Sequence, residues 1–424
     1  MKKTKIDGLD ITLYQETLDN GLEVYMLPYD DKKDYYISYG VRYGSDIVKF
    51  KFDGEEYVPP LGIAHYLEHK MFEDESGEDA FTFFAKSGTD ANASTSYDNT
   101  QYICYGTKNF KANLKHLINF VNSPYFTDEN VNKERGIIAE EIKMYNDMPE
   151  YKLEMRLREN LFKNNPRKYD IAGSIKEINK ITKDDLYKCY NSFYLTNNMF
   201  ILIVGNFNQK EALDVIKMEL GDKSSFKIPK VVFENEPIEV VKKKEILKEN
   251  IEVPKVGLGI KVNKKNLKLN DIELDLYLNM ITTIIFGASS EFRERTRNDK
   301  ILNDVYSYWE SSGPIKTFYL FADSKDIDSL LKEIEYELDN VSIANNSFDR
   351  IKKVWIANEI KSIDNIFKVS NIMFDDIISY KKVITDRIDI IKKMNIATVN
   401  DLIKKIDFKN RSIVKMTNKS KKEN

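Results

Sequence analysis

The chain is 424 residues long and 42% hydrophobic, enough for about two to four globular domains with full cores. Its 65 Lys and Arg against 68 Asp and Glu leave a net charge of −3, which excludes the global basic field of a nucleic-acid or anionic-membrane binder. The longest apolar run, residues 199–204, has the length of a strand and falls well short of the ~18 residues a membrane span needs.

In chain order, Met1-Lys2-Lys3 gives way at once to Thr4-Lys5-Ile6-Asp7-Gly8, with no apolar stretch of the kind a secretory signal carries, and a cytoplasmic protein is expected. Residues 22–27 and 36–41 alternate as strands around a charged turn at 30–33, predicting an antiparallel pair. Pro59-Pro60 then punctuates the chain, and residues 61–72 carry helical spacing. A short helix over 80–86, strands over 91–95 and 101–106 across a polar turn, and a helix over 110–121 follow. A related order returns in the second half: a strand at 256–262, helices at 271–286 and 292–299, strands at 305–308 and 318–321, and a helix at 327–338. This recurrence predicts an α+β fold of two duplicated domains, each a largely antiparallel sheet flanked by helices. The expected bounds are 1–221 and 251–424, joined by a Lys-, Glu- and Pro-rich linker over 222–250. The lysines at 242–244 and 419–422 read as solvated linker and tail. Cys104 and Cys189 are too few for a disulfide framework, so buried free thiols are expected.

The predicted helix over 61–72 contains His65-Tyr66-Leu67-Glu68-His69, two of the chain's three histidines. At i and i+4 the imidazoles share one helix face, with the Glu68 carboxylate at the same edge. That pattern suits one zinc ion with a base beside its water, and the bland alternative is a surface helix that happens to carry two histidines. A catalytic zinc needs a third protein ligand. His116, the remaining histidine, sits on an ordinary amphipathic helix and reads as packing or surface. Residues 134–144 read as helix, and Glu134 and Glu141, seven apart, lie on one face, with Glu140 turned about 100° from Glu141. Spacing therefore prefers Glu141 over Glu140, but a charged, solvated helix face explains the same pattern.

His65-Tyr66-Leu67-Glu68-His69, followed by Glu134-Arg135-Gly136-Ile137-Ile138-Ala139-Glu140-Glu141, resembles the pitrilysin and insulysin superfamily of inverzincin metallopeptidases. The resemblance is to its small two-domain bacterial branch, related to mitochondrial processing peptidase. Ile181-Thr182-Lys183-Asp184-Asp185-Leu186 and the strand from Asn197 to Gly205 are similar to the end of that family's first domain. The resemblance implies a zinc endopeptidase in which His65, His69 and Glu141 bind Zn2+, Glu68 is the catalytic base and Glu134 is a second carboxylate at the site. Asp90-Ala91-Asn92-Ala93-Ser94-Thr95 resembles the family's substrate-binding edge strand, with Asn92 and Ala93 as the candidate residues. An exposed edge suits an extended peptide, which binds by strand addition, although an ordinary hairpin turning at 97–99 explains the segment too.

The family also contributes an Arg and a Tyr from its second domain. The corresponding substrate-binding candidates here are Arg297 and Tyr306, nine residues apart and without the usual glycine between them. This departure implies a dimeric clamshell, either a homodimer or a heterodimer in which a paralogous subunit supplies the Arg and Tyr. The expected partner besides that subunit is a peptide substrate, with no nucleic acid and no membrane. Two rival functions remain, a non-proteolytic scaffold subunit of the same fold and a zinc-binding regulatory protein. An intact set of ligands and base opposes both.

Overall fold

A computed structural model describes residues 1–52, 54–75, 79–221 and 227–419. The chain is divided between two units, each drawn from three separate stretches. Met1–Ile142, Asp170–Phe233 and Glu359–Arg387 form the first, and Lys143–Tyr169, Glu234–Asn358 and Ile388–Asn424 the second.

The first unit carries strands β1 (Lys2–Lys5), β2 (Thr12–Thr17), β3 (Glu23–Pro28), β4 (Tyr35–Val41), β5 (Phe50–Phe52), β6 (Glu55–Tyr57), β7 (Asp90–Thr95), β8 (Thr100–Gly106) and β9 (Met199–Gly205). Apart from the small β5–β6 pair, they form one seven-stranded sheet in the order β1-β2-β3-β9-β4-β8-β7. Strand β9 is apolar at every position before Gly205 and buried throughout, the pattern of a strand covered on both faces. Met199, Ile201 and Ile203 enter one core, and Phe200, Leu202 and Val204 enter the other. The expected pairing of residues 22–27 with 36–41 is corrected here. β9 lies between β3 and β4, parallel to the first and antiparallel to the second. Alternation within a strand reveals its faces but not its neighbour, and the most apolar strand takes the centre.

Helices α1 (Ile63–Lys70), α2 (Ala80–Lys86), α3 (Phe110–Val121) and α4 (Asp128–Asp147) contribute side chains to the core on one face of this sheet. The helix Ile366–Tyr380 covers the opposite face through Val369, Met373, Phe374 and Ile377. Gly40 on β4 makes room for it, because a Cβ there would lie 2.4 Å from Phe200 and 2.8 Å from Phe374.

The second unit holds α5 (Pro149–Leu161) and strands β10 (Lys244–Glu249), β11 (Lys255–Asn263), β12 (Asp304–Ser312), β13 (Ile315–Asp323) and β14 (Arg411–Asn418), in the order β10-β14-β11-β13-β12. In Val256-Gly257-Leu258-Gly259-Ile260 the large residues enter the helix-covered core, whereas the glycines lie under α5. A Cβ at Gly259 would lie 2.5 Å from the Leu161 side chain. The pairings repeat those of β3, β9, β4, β8 and β7: β10 runs parallel to β14, and β11 is antiparallel to β14 and β13, with β12 antiparallel to β13. The fold is α+β, and its two sheets share one connectivity.

Within the stretch expected to link the halves, residues 222–226 lie outside the described residues, as do the lysines at 421 and 422. Residues 244–249 form β10. Glu236 anchors the intervening segment, pairing at 2.7 Å with Lys261 and accepting the backbone N–H groups of Lys163, Asn164 and Asn165. Among the described residues no helix is long and apolar enough to cross a membrane.

Candidate metal centre

Helix α1 starts without a side-chain cap, at Gly62 with φ of 87°, a left-handed conformation that glycine adopts at little cost. A Cβ at Gly62 would lie 2.2 Å from the Ala172 carbonyl oxygen, so the helix begins hard against the 172–173 backbone. Ile63, Ala64, Tyr66 and Leu67 face the core, which turns His65 and His69 to the other side. Tyr66 is fully buried and donates its hydroxyl to the Val131 carbonyl, tying α1 to α4. On α4, Val131, Ile138 and Ile142 pack inward. Glu134 and Glu141 lie half-buried on the side facing α1, while Glu140 is exposed.

These ties bring His65, His69 and Glu141 together, with one donor atom from each lying within 4.8 Å of the others. His69 Nε2 is 3.3 Å and His65 Nε2 is 3.7 Å from the same Glu141 oxygen. Ligands that sit ~2.0–2.1 Å from a shared tetrahedral zinc lie about 3.3 Å apart. The spacing and the nitrogen–nitrogen–oxygen donor set therefore fit that ion. Glu134 accepts a hydrogen bond from His69 Nδ1 at 3.0 Å, which leaves Nε2 to face the cluster.

Burial, with the neighbouring His69 charge, holds His65 well below the ordinary imidazole range, so it stands neutral. Burial also opposes charge on His69, but hydrogen bonds to Glu134 and Glu141 outweigh it and lift that imidazole to about 9. The bond to His69 holds Glu141 below the usual carboxylate range despite partial burial. Glu68, only 7% exposed, is pushed up by burial against a hydrogen bond from Thr95. That bond, Thr95 Oγ1 to Glu68 Oε2 at 2.7 Å, is a contact the motif does not announce. The available signal was strand alternation, which sets Thr95 on the same half-buried face of β7 as Ala91 and Ala93.

Strand β7 is the last strand of its sheet. Asn92 is exposed, and its side-chain oxygen accepts the Ala93 N–H at 2.9 Å. His116 stacks on Phe83 at 4.1 Å and bonds the Ala80 carbonyl oxygen at 3.1 Å, a packing role. Arg297 and Tyr306 belong to the second unit. Arg297 is exposed in the last turn of the helix Glu291–Asn298. Tyr306 is 51% exposed on β12 and stacks on Phe321.

Residues 55–174 match the insulinase (peptidase family M16) model, and residues 180–354 match the peptidase M16 inactive domain. The uncharacterised zinc protease YmfH of Bacillus subtilis is 37% identical over 314 residues, covering 73% of each chain. The chain belongs to peptidase family M16. This family member also resembles a crystal structure of an M16-like peptidase from Alicyclobacillus acidocaldarius, with a TM-score of 0.91 and 28% identity over 98% of this chain and 100% of that one. The first half of the periplasmic protease PqqL of Escherichia coli shares the fold at a TM-score of 0.76 and 19% identity, covering 99% of this chain and 94% of that one. Against the longer PqqL chain the M16 family member spans 48%.

Proposed function

We propose that this chain is a zinc-dependent endopeptidase that hydrolyses peptides or unfolded segments as one half of a dimeric clamshell. The observation that carries this reading is the convergence of two imidazole nitrogens and a carboxylate oxygen within 4.8 Å, with the buried Glu68 carboxylate on the same helix as the two histidines. Homologues named zinc proteases support it. His65, His69 and Glu141 would hold the metal, and Glu134 fixes the orientation of His69. Bound there, zinc supplies a Lewis acid and lowers the pKa of a bound water to about 7. Glu68 takes the proton from the attacking water and hands it to the leaving amine nitrogen as the peptide C–N bond breaks. The edge of β7, at Asn92 and Ala93, receives the peptide backbone by strand addition.

Among the described residues, the one His/Cys/Asp/Glu group suited to a metal lies in the first unit. The second unit accordingly acts as a homologous domain without metal. A paralogous or identical subunit completes the chamber, and in the paralogous case it supplies the Arg and Tyr whose spacing departs here.

Chelation tests the metal requirement. Treating the purified chain with 1,10-phenanthroline is expected to abolish cleavage of a quenched peptide library, and stoichiometric zinc is expected to restore it. Undiminished cleavage by protein shown to be metal-free would overturn the assignment.

A further inference from the structure

We propose that Thr95 is a positioning residue for the catalytic base, its hydroxyl fixing the Glu68 carboxylate from the same strand that receives the substrate. The inference rests on the peptidase reading above and extends it to a residue outside the metal-binding motif. Thr95 Oγ1 donates to Glu68 Oε2 at 2.7 Å, and Glu68 is 7% exposed. The last torsion of a glutamate is broad and roughly two-fold, so packing alone does not choose how its carboxylate plane lies. One hydrogen bond to one oxygen makes that choice and leaves Oε1 as the proton acceptor. Threonine is suited to the task, because its β-branch restricts χ1 and holds the hydroxyl direction.

The strand beneath this contact is itself anchored. Thr95 pairs with Thr100 across the β7–β8 turn, Ser96 donates its N–H to the Asn99 carbonyl oxygen at 2.8 Å, and Thr100 donates its hydroxyl to the Tyr43 carbonyl oxygen at 3.0 Å. Thr95 stands two residues beyond Ala93, about 7 Å along the strand. A peptide added along β7 is thereby held in fixed register with the hydroxyl that aims the base. Substrate strand and base then move as one body. Loss of the hydroxyl leaves peptide binding and metal in place but frees the carboxylate, and a misplacement of about 1 Å in a reacting group can cost on the order of a hundredfold in rate.

The test compares full-length wild type, Thr95→Val and Thr95→Ser, each loaded with zinc. Valine keeps the shape and the β-branch, so the fold is preserved. In Thr95→Val, kcat is expected to fall about ten- to a hundredfold with KM and zinc stoichiometry unchanged, and Thr95→Ser is expected to recover most of the loss. An unchanged kcat in Thr95→Val, a loss expressed in KM alone, or a failure of serine to rescue would overturn the role. A wild-type chain that binds no zinc would defeat the peptidase reading, whereas one that binds zinc and cleaves nothing alone fits the paralogous-partner case; in either event crystal structures of the three proteins decide the positioning claim. A Glu68 carboxylate that turns away only in Thr95→Val supports it, and one that holds the same place in all three overturns it.

Discussion

His69 stands between two carboxylates, and that placement would set how the proposed zinc binding depends on pH. Without metal its imidazole is protonated up to about 9, whereas a zinc ligand must be neutral. Zinc bound as proposed at pH 7 would therefore displace a proton from His69, while His65, held neutral, and Glu141, held ionised, would release none. The expected sign is that apparent affinity rises with pH towards about 9 and falls roughly tenfold for each unit below it. Calorimetry in buffers of different ionisation enthalpy should find at least one proton released per zinc at pH 7, from His69 and in part from a bound water of pKa about 7, and none released would contradict the arrangement. His65, Glu68 and His69 were legible in the sequence because one helix carries all three. Spacing alone left Glu141 open to a solvated-face reading, the resemblance to the family motif singled it out, and the fold brings its carboxylate within 4.8 Å of the two imidazole donors. Thr95 was not legible as a partner of Glu68, since a strand residue and a helix residue 27 positions away meet only through packing.

At the scale of elements, alternation and helical spacing located most of the elements but not their neighbours. The central place of β9 depends on contacts with residues more than 150 positions away, which local pattern does not encode. Strand β1 at the sheet edge and its neighbour β2 are polar at many positions, so they carry no strong apolar signature in the sequence. The connecting segment likewise looked like plain linker, although Glu236 makes a buried ion pair with Lys261 and takes three backbone N–H groups. Burial opposes the Glu236 charge, but these partners outweigh it and hold its carboxyl below the usual range. A depressed carboxylate contributes stability above its unfolded pKa of ~4.3 and loses it as pH falls through the lower folded value. Glu236→Gln, which leaves Lys261 buried without its counter-charge, should therefore cost roughly 3–5 kcal/mol at pH 7. The gap should close as pH drops below the carboxylate range. Urea unfolding of both proteins across pH 3–8 measures this, and equal stabilities at pH 7 would show that the anchor contributes nothing.

On the scale of the whole molecule, the repeated five-strand connectivity explains why the two halves of the sequence read alike. What the sequence concealed is the exchange of segments, with residues 143–169 assigned to the second unit and 359–387 to the first; helical pattern says nothing of which core a helix will cover. The proposed pairing with a second subunit belongs to this scale too. If a partner subunit supplies the Arg and Tyr, Arg297→Ala and Tyr306→Phe should each change kcat/KM by less than about threefold. A loss of a hundredfold or more in either would place those side chains at the substrate and remove the need for a paralogue. The central claim is most directly tested by measuring zinc content and peptide-library cleavage for the wild-type chain and Glu68→Gln side by side. The expected result is about one zinc in each protein, with cleavage lower by at least a hundredfold in Glu68→Gln. Equal, measurable cleavage in the two proteins would contradict the assignment of Glu68 as base, and a wild type that binds no zinc would contradict that of His65, His69 and Glu141 as ligands.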